Sequence, residues 1–473
     1  MNAGKAYGAE FLIPAEKSTT RIWRRNMKKR KTVLAVLLTA AVALMSGCGN
    51  QTSEQAAQTA ETEAPAQETE TPGTGEAQAE DKTADEVTDL WFYYPTQVGG
   101  DLATGMEEIV ADFNTAHPDI NVTAVYTGSY KQTAQKAMSD LAAGNGPSVI
   151  LSGMLDIVDY YNVGELEDLT TYIEAEGTDW SSDFVDGFWG NFTMADGKNY
   201  GLPFQHSVCV LYYNQDLLDA AGVKVPENWT EMQDAVKVLQ AYDSKVIPIE
   251  FPSDVWVLEA LTLSDSGSLI KSKTETSFDS KEAVDSLDFM GSLIKEGGMI
   301  RSYAEAGEDF VAESCAMMLN TTGNLGFAAS GADFNWDVTM VPVNTTPGFS
   351  YGGGGLVMTA DQSDAEKAAS WEFMKYMTSP EVSAKWMTVS GYFTVRKSAE
   401  ELPVVQDYYA EHSQLKHAAD LLQYTSAQWS TDHYWDVYGC MQTALDSVLI
   451  DGSVSAEDAL SKAQTDAMAV LGE

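Results

Sequence analysis

Leu90-Trp91-Phe92-Tyr93-Tyr94 is an unbroken apolar and aromatic run of strand length. Met106 to Ala116 follows with helical spacing of its apolar residues and stops at His117-Pro118. Asn121 to Tyr126 alternates as a second strand, and Tyr130 to Ala143 reads as a further helix halted by Gly144-Asn145-Gly146-Pro147. Ser148 to Leu151 supplies a third strand. Strands alternating with helices imply parallel βαβ units and a doubly wound α/β sheet. The alternation recurs after Tyr200, with strand-like Ser207 to Tyr213 and helices near Trp229 to Ala241. Two α/β lobes follow from this pattern; their connection does not.

The chain has 473 residues, 44% of them hydrophobic and 10% aromatic, which is a globular composition with room for two cores. Its 28 basic and 70 acidic side chains leave a formal net charge of −42. Such a surface repels nucleic acid, so a DNA- or RNA-binding role is excluded. Nine of the basic residues precede Cys48. Met27-Lys28-Lys29-Arg30-Lys31 followed by the apolar run Val33 to Met45 reads as an export signal, too short for a comfortable membrane span of roughly 20 residues. The run ends in Leu44-Met45-Ser46-Gly47-Cys48, which resembles a bacterial lipobox with Met45 where leucine is usual. Residues 1–47 are therefore expected to be removed, with translation starting at Met27 and a lipid on Cys48.

Residues 48–86 are almost entirely Gln, Thr, Glu, Ala, Pro and Gly, the composition of a disordered acidic tether. Cys209, Cys315 and Cys440 show neither CxxC spacing nor accompanying histidine pairs, and His412 and His417 are wrongly spaced for one helix face. Neither a metal site nor a cofactor is expected.

Tyr200-Gly201-Leu202-Pro203-Phe204, Leu211-Tyr212-Tyr213-Asn214, Ala221-Gly222 and Pro226-Glu227-Asn228-Trp229 resemble the core signature of bacterial extracellular solute-binding proteins of the carbohydrate group (family 1). Phe278-Asp279-Ser280, Gly352 to Leu356, Phe373 to Met377 and Ser390-Gly391-Tyr392 fall in the same order, so the resemblance runs from about residue 88 to the end. Tyr126 to Tyr130, with Leu202-Pro203-Phe204 and Ser207, is similar to the glycerol-3-phosphate-binding branch. The resemblance implies a two-lobe clamp of the periplasmic-binding-protein type (type II), each lobe a doubly wound sheet, joined by three crossovers. These would lie near Pro203–Ser207, Val338–Pro342 and Val389–Val395, with lobe 1 from 88–203 plus 343–389 and lobe 2 from 208–338 plus 395–472. It also implies a monomer that hands a small solute to ABC permease subunits outside the cytoplasm, held at the membrane only by its lipid.

A sugar site needs aromatic faces and hydrogen-bonding groups. The resemblance places Tyr130 in the cleft; Ser129 reads equally as a contact or as the cap of the following helix. Gln205, His206 and Ser207 occupy the first crossover, with a structural histidine as the competing reading of His206. Trp256 matches a stacking tryptophan, although core packing would explain it as well. Thr321, Thr322 and Asn324 follow the strand Ala316 to Leu319 and begin a helix whose free amides suit hydroxyl or phosphate oxygens. Gly353 and Gly354 would let backbone approach the ligand, and Tyr392 is a cleft position of the family. No Lys-Ser/Thr pair follows Gly352 to Gly355, so that stretch is not a phosphate loop.

Tyr438 aligns with the arginine that grips phosphate in the glycerol-phosphate branch, and no Arg or Lys stands near it. Losing a charged bidentate donor predicts a neutral sugar or polyol as ligand. The family's acidic residue after the third strand aligns poorly, near Met154 or Asp156. The competing readings are glycerol-3-phosphate or glycerophosphodiester binding, a ligand-sensing lipoprotein, and a secreted glycoside hydrolase. The last finds no GxSxG or HExxH motif, and the chain is expected not to be an enzyme.

Overall fold

A computed structural model describes residues 87–96, 102–194, 196–426 and 430–472. The expected export segment, Cys48 and the tether lie outside the described residues. In chain order the first strands are β1 (Thr88–Tyr94), β2 (Ile120–Tyr126), β3 (Val149–Gly153), β4 (Gly201–Asn214), β5 (Glu250–Phe251) and β6 (Ile270–Ser272). They are followed by β7 (Glu275–Thr276), β8 (Met299–Ile300), β9 (Met317–Thr321), β10 (Trp336–Met340), β11 (Phe349–Met358) and β12 (Thr425–Ser426).

β1 is covered along one face and, at Tyr93, on the other, while Trp91 on that second face stays half-exposed. Leu90, Phe92 and Tyr94 enter one core with Phe113 and Phe373, from the helices Leu102–Ala116 and Asp364–Met377. Tyr93 faces the other side, with Ala137, Ile150 and Val357. β1 pairs in parallel with β2 and β3, as the alternation of strands and helices predicts. The helix Tyr130–Ala142 between β2 and β3 opens on a capping box, in which Ser129 Oγ accepts from Gln132 N–H and the Gln132 side chain accepts from Ser129 N–H.

The sheet as a whole is mixed, parallel through β2-β1-β3 as the βαβ alternation implies and largely antiparallel beyond. Its order is β2-β1-β3-β11-β4-β9-β5-β8, with β10 on β4 and β12 on β11. β11 runs antiparallel to both β3 and β4, and β4 runs antiparallel to β9 and β10. The sequence reading found only the second half of β4, because Gln205, His206 and Ser207 read as a polar crossover. In the structure all three are buried inside a continuous 14-residue strand. β4 pairs with β11 from Gly201 through Val208 and with β9 from Cys209 onward. One strand thus belongs to two halves of the molecule, giving the two-lobe α/β architecture.

The helix Pro380–Ser390 ends at Gly391 and leads the chain back to β4, where Phe393 N–H donates to His206 O at 3.0 Å. Arg396 then anchors the returning chain. Its guanidinium lies over the Phe184 and Trp180 rings and donates to Thr378 O and Trp180 O. Burial pulls its pKa down to about 10.

The close approach of β11 to β4 depends on glycine. Gly353 has φ +104°, and a Cβ there would lie 2.1 Å from the Gln205 carbonyl oxygen. Gly353→Ala is therefore expected to lower the urea midpoint by the equivalent of roughly 1–3 kcal/mol. Gly439→Ala, at a helix position with nothing within 4 Å of the new Cβ, should raise it by up to about 1 kcal/mol. Equal midpoints for the two variants would contradict this account of β11.

Candidate functional site

A cavity of about 150 Å³ opens where β4 changes partners. One wall is built on the first half of the sheet. Tyr130 starts the helix after β2, Gly153 ends β3 and Met154 to Asp156 form the turn after it, Ser207 comes from β4, and Tyr351 to Gly353 from β11. The opposite wall carries Asp254, Val255, Trp256 and Glu259 at the start of the helix Val255–Ser264, with Tyr303 and Thr321. Tyr392, Thr431, Tyr434, Trp435 and Tyr438 complete the rim, the last three on the helix Tyr434–Leu449.

The lining is aromatic and acidic. Among the described residues it holds six tyrosines, two tryptophans and a phenylalanine, the carboxyl groups of Asp156, Asp254 and Glu259, and no Lys, Arg or His. Gln205 sits behind the wall and sets two of the rings. Its Nε2–H donates to Tyr130 Oη at 2.6 Å, and its Oε1 accepts from Trp386 Nε1–H at 3.1 Å. Trp386 in turn lies parallel to Tyr392. Trp256 reaches across to β11, donating from Nε1 to Tyr351 O at 3.3 Å, and a side chain at Gly352 would strike its ring at 2.6 Å.

Each carboxyl is held by donors. Asp156 accepts from Ser152 Oγ–H at 3.0 Å and, across the cavity, from Trp435 Nε1–H at 3.3 Å. Burial outweighs these bonds and pushes its pKa up to about 7. Glu259 accepts from Leu269 N–H at 2.8 Å and Ser268 Oγ–H at 3.3 Å, and burial likewise raises it to about 7. Asp254 caps its helix, accepting from Trp256 N–H at 2.8 Å; burial raises its pKa while the Tyr438 and Tyr303 hydroxyls, which face it, lower it. Further bonds join the walls: Tyr434 N–H to Asp159 Oδ1 at 3.2 Å and Asn162 Nδ2–H to Asp432 Oδ1 at 3.1 Å.

Of the sequence-predicted residues, the structure brings Tyr130, Ser207, Trp256, Thr321, Gly353, Tyr392 and Tyr438 to the cavity and puts Gln205 directly behind it. It does not bring the other five there. Ser129 is the helix cap. His206 is buried, stacked 4.0 Å from Phe188, with burial driving its pKa down to about 3. Thr322 Oγ1 accepts from Val208 N–H, and Asn324 is buried off the lining. The Gly323 amide expected to be free donates to Thr321 Oγ1. Gly354 packs on the Ser152 carbonyl rather than on the cavity.

Asp254, Glu259, Tyr303, Tyr351, Tyr434 and Trp435 were missed. The signal for Asp254 was its N-cap spacing before the helix, and Trp435 lay in the segment around Tyr438. Among the described residues, no group of three or more His, Cys, Asp or Glu is placed to hold a metal ion.

A two-lobe α/β molecule with an aromatic cavity between its halves is a binding protein by architecture. The chain belongs to the bacterial extracellular solute-binding protein family, whose sequence model matches residues 108–412. It is 25% identical over 350 residues to the sn-glycerol-3-phosphate-binding periplasmic protein UgpB of Pectobacterium atrosepticum, spanning 70% of this chain and 78% of that one. Its fold matches that of UgpB from Mycobacterium tuberculosis in complex with glycerophosphocholine, with TM-score 0.73, 21% identity, and coverage of 82% and 99% of the two chains. An ABC substrate-binding protein from Listeria monocytogenes in complex with cycloalternan matches equally, with TM-score 0.73, 23% identity, and coverage of 82% and 100%. Members of this family are substrate-binding proteins rather than enzymes.

Asp156 binds its proton more tightly in the folded chain than in the unfolded one, where its pKa is near 3.8. Its contribution to stability is complete below about pH 4 and is lost as pH rises through 7. Asp156→Asn, uncharged throughout, should therefore gain on the wild type as pH rises from 5 to 8, by at least about 2 °C in Tm. A difference that stays flat with pH would contradict the burial of this carboxyl.

Proposed function

We propose that this extracellular solute-binding protein captures an uncharged polyhydroxy solute, a neutral sugar or polyol, in the cavity and presents it to the permease of an ABC importer. A lipid on Cys48 and the 48–86 tether would keep it at the membrane as a monomer. The observation that carries the ligand class is the cavity's lining, which among the described residues has nine aromatic side chains and three carboxyl groups with no cationic side chain. Aromatic faces cover the apolar faces of sugar rings, and carboxyl oxygens accept from hydroxyl protons. A phosphate would meet neither a bidentate donor nor a compensating charge. Tyr438, the position aligned with a phosphate-gripping arginine, presents a phenol beside Asp254.

The second reading is glycerol-3-phosphate or a glycerophosphodiester, favoured by the two UgpB relatives whose names and ligands carry that group. A thermal-shift screen of the purified chain separates the two. Ligand at a hundredfold excess over Kd stabilises the folded state by about 2.7 kcal/mol. A rise in Tm with one or more neutral sugars or polyols and none with glycerol phosphates is expected. Trp256→Ala should abolish that rise. A shift with glycerol phosphates alone would overturn the ligand class while leaving the family intact.

A further inference from the structure

The start of the helix Val255–Ser264 opens into the cavity wall, and a helix start with free amides is a ready anion site. Here that site is already filled from within the chain. Asp254 Oδ1 accepts from Trp256 N–H at 2.8 Å, placing a carboxylate where a bound anion would sit. Tyr303 and Tyr438 line the cavity with the same carboxylate. Tyr130, on the facing wall, accepts from Gln205 through its oxygen, so its proton remains for the ligand.

An uncharged Asn or Ser would cap this helix as well as Asp does. Burial raises the pKa of Asp254, so the charge is disfavoured where it stands, and capping alone gives no reason to keep it. We propose that Asp254 is the specificity-determining residue of the cavity: it excludes anionic solutes by placing its own carboxylate at the helix start that opens into the cavity wall. The proposal rests on the reading of this cavity as the solute site. It adds a repulsive element to the attractive ones, which is how close analogues are told apart.

The test is a calorimetric titration of sn-glycerol 3-phosphate into the wild type, Tyr438→Arg, Asp254→Asn and the double variant Asp254→Asn/Tyr438→Arg, each checked for folding by circular dichroism. A guanidinium at 438 beside Asp254 would be neutralised by it, so Tyr438→Arg alone should remain as poor a phosphate binder as the wild type. The double variant should bind at least tenfold more tightly than either single variant. Asp254→Ser in place of Asp254→Asn repeats the comparison should the asparagine form not fold. Tyr438→Arg binding as tightly as the double variant, a double variant no better than the wild type, or tight binding by the wild type itself would each overturn the proposal. The neutral-ligand reading fails separately, on the response of the wild type to uncharged sugars and polyols.

Discussion

β4 is a single strand that two halves of the sheet must share, and the rest of the site follows from that. Up to Val208 its hydrogen bonds go to β11, and from Cys209 they go to β9 and β10. A strand that changes partners leaves a gap between them, and the cavity occupies it. β11 approaches β4 closely enough only because Gly353 takes a backbone conformation closed to other residues and has no side chain to strike Gln205. Gln205, held in that ladder, reaches the cavity through Tyr130 and Trp386. The polar run Gln205-His206-Ser207 is thereby divided by function. Ser207 faces the cavity, Gln205 orients its rings, and His206 is stacked neutral against Phe188 in the core.

Charge is distributed with the same economy. Arg396 is buried between aromatic rings and backbone carbonyls, where it fastens the chain returning from the helix Pro380–Ser390, and it takes no part in the cavity. Among the described residues the only ionisable acids or bases lining the cavity besides its tyrosines are carboxyl groups, each bonded to protein donors and each with its pKa raised by burial. Such a lining offers a ligand aromatic faces and carboxyl oxygens that accept from hydroxyl protons. It also ties the walls together, since the Asp156 carboxyl on one wall accepts from Trp435 on the other.

The α/β alternation was readable because β1, β2 and β3 each announce themselves within a few residues, between recognisable helix starts and stops. The antiparallel insertion of β11 beside β3 was not, since strand order depends on partners some 200 residues apart. The site divides along the same line. Tyr130, Trp256, Tyr392 and Tyr438 sit beside motifs that resemble the family's, and the structure gathers them. Tyr303, Tyr351, Tyr434 and Trp435 carry no local spacing that marks them, and only folding brings them to one place. Ser129 shows the reverse difficulty: a serine before a helix is both a good cap and a plausible contact, and here Gln132 three residues on completes the capping box. The alignment left the acidic position after β3 open between Met154 and Asp156, and the geometry turns the Asp156 carboxyl toward Ser152 and Trp435.

Trp256 and Trp435 line the cavity and both bond across to the wall that carries Tyr351 and Asp156, so the protein carries its own reporters. Tryptophan fluorescence, titrated with neutral sugars and polyols and then challenged with excess sn-glycerol 3-phosphate, tests the account most directly. A saturable change with an uncharged ligand, unmoved by the phosphate ester, is the result the cavity's chemistry requires. Saturation by sn-glycerol 3-phosphate, or its displacement of the uncharged ligand, would contradict it.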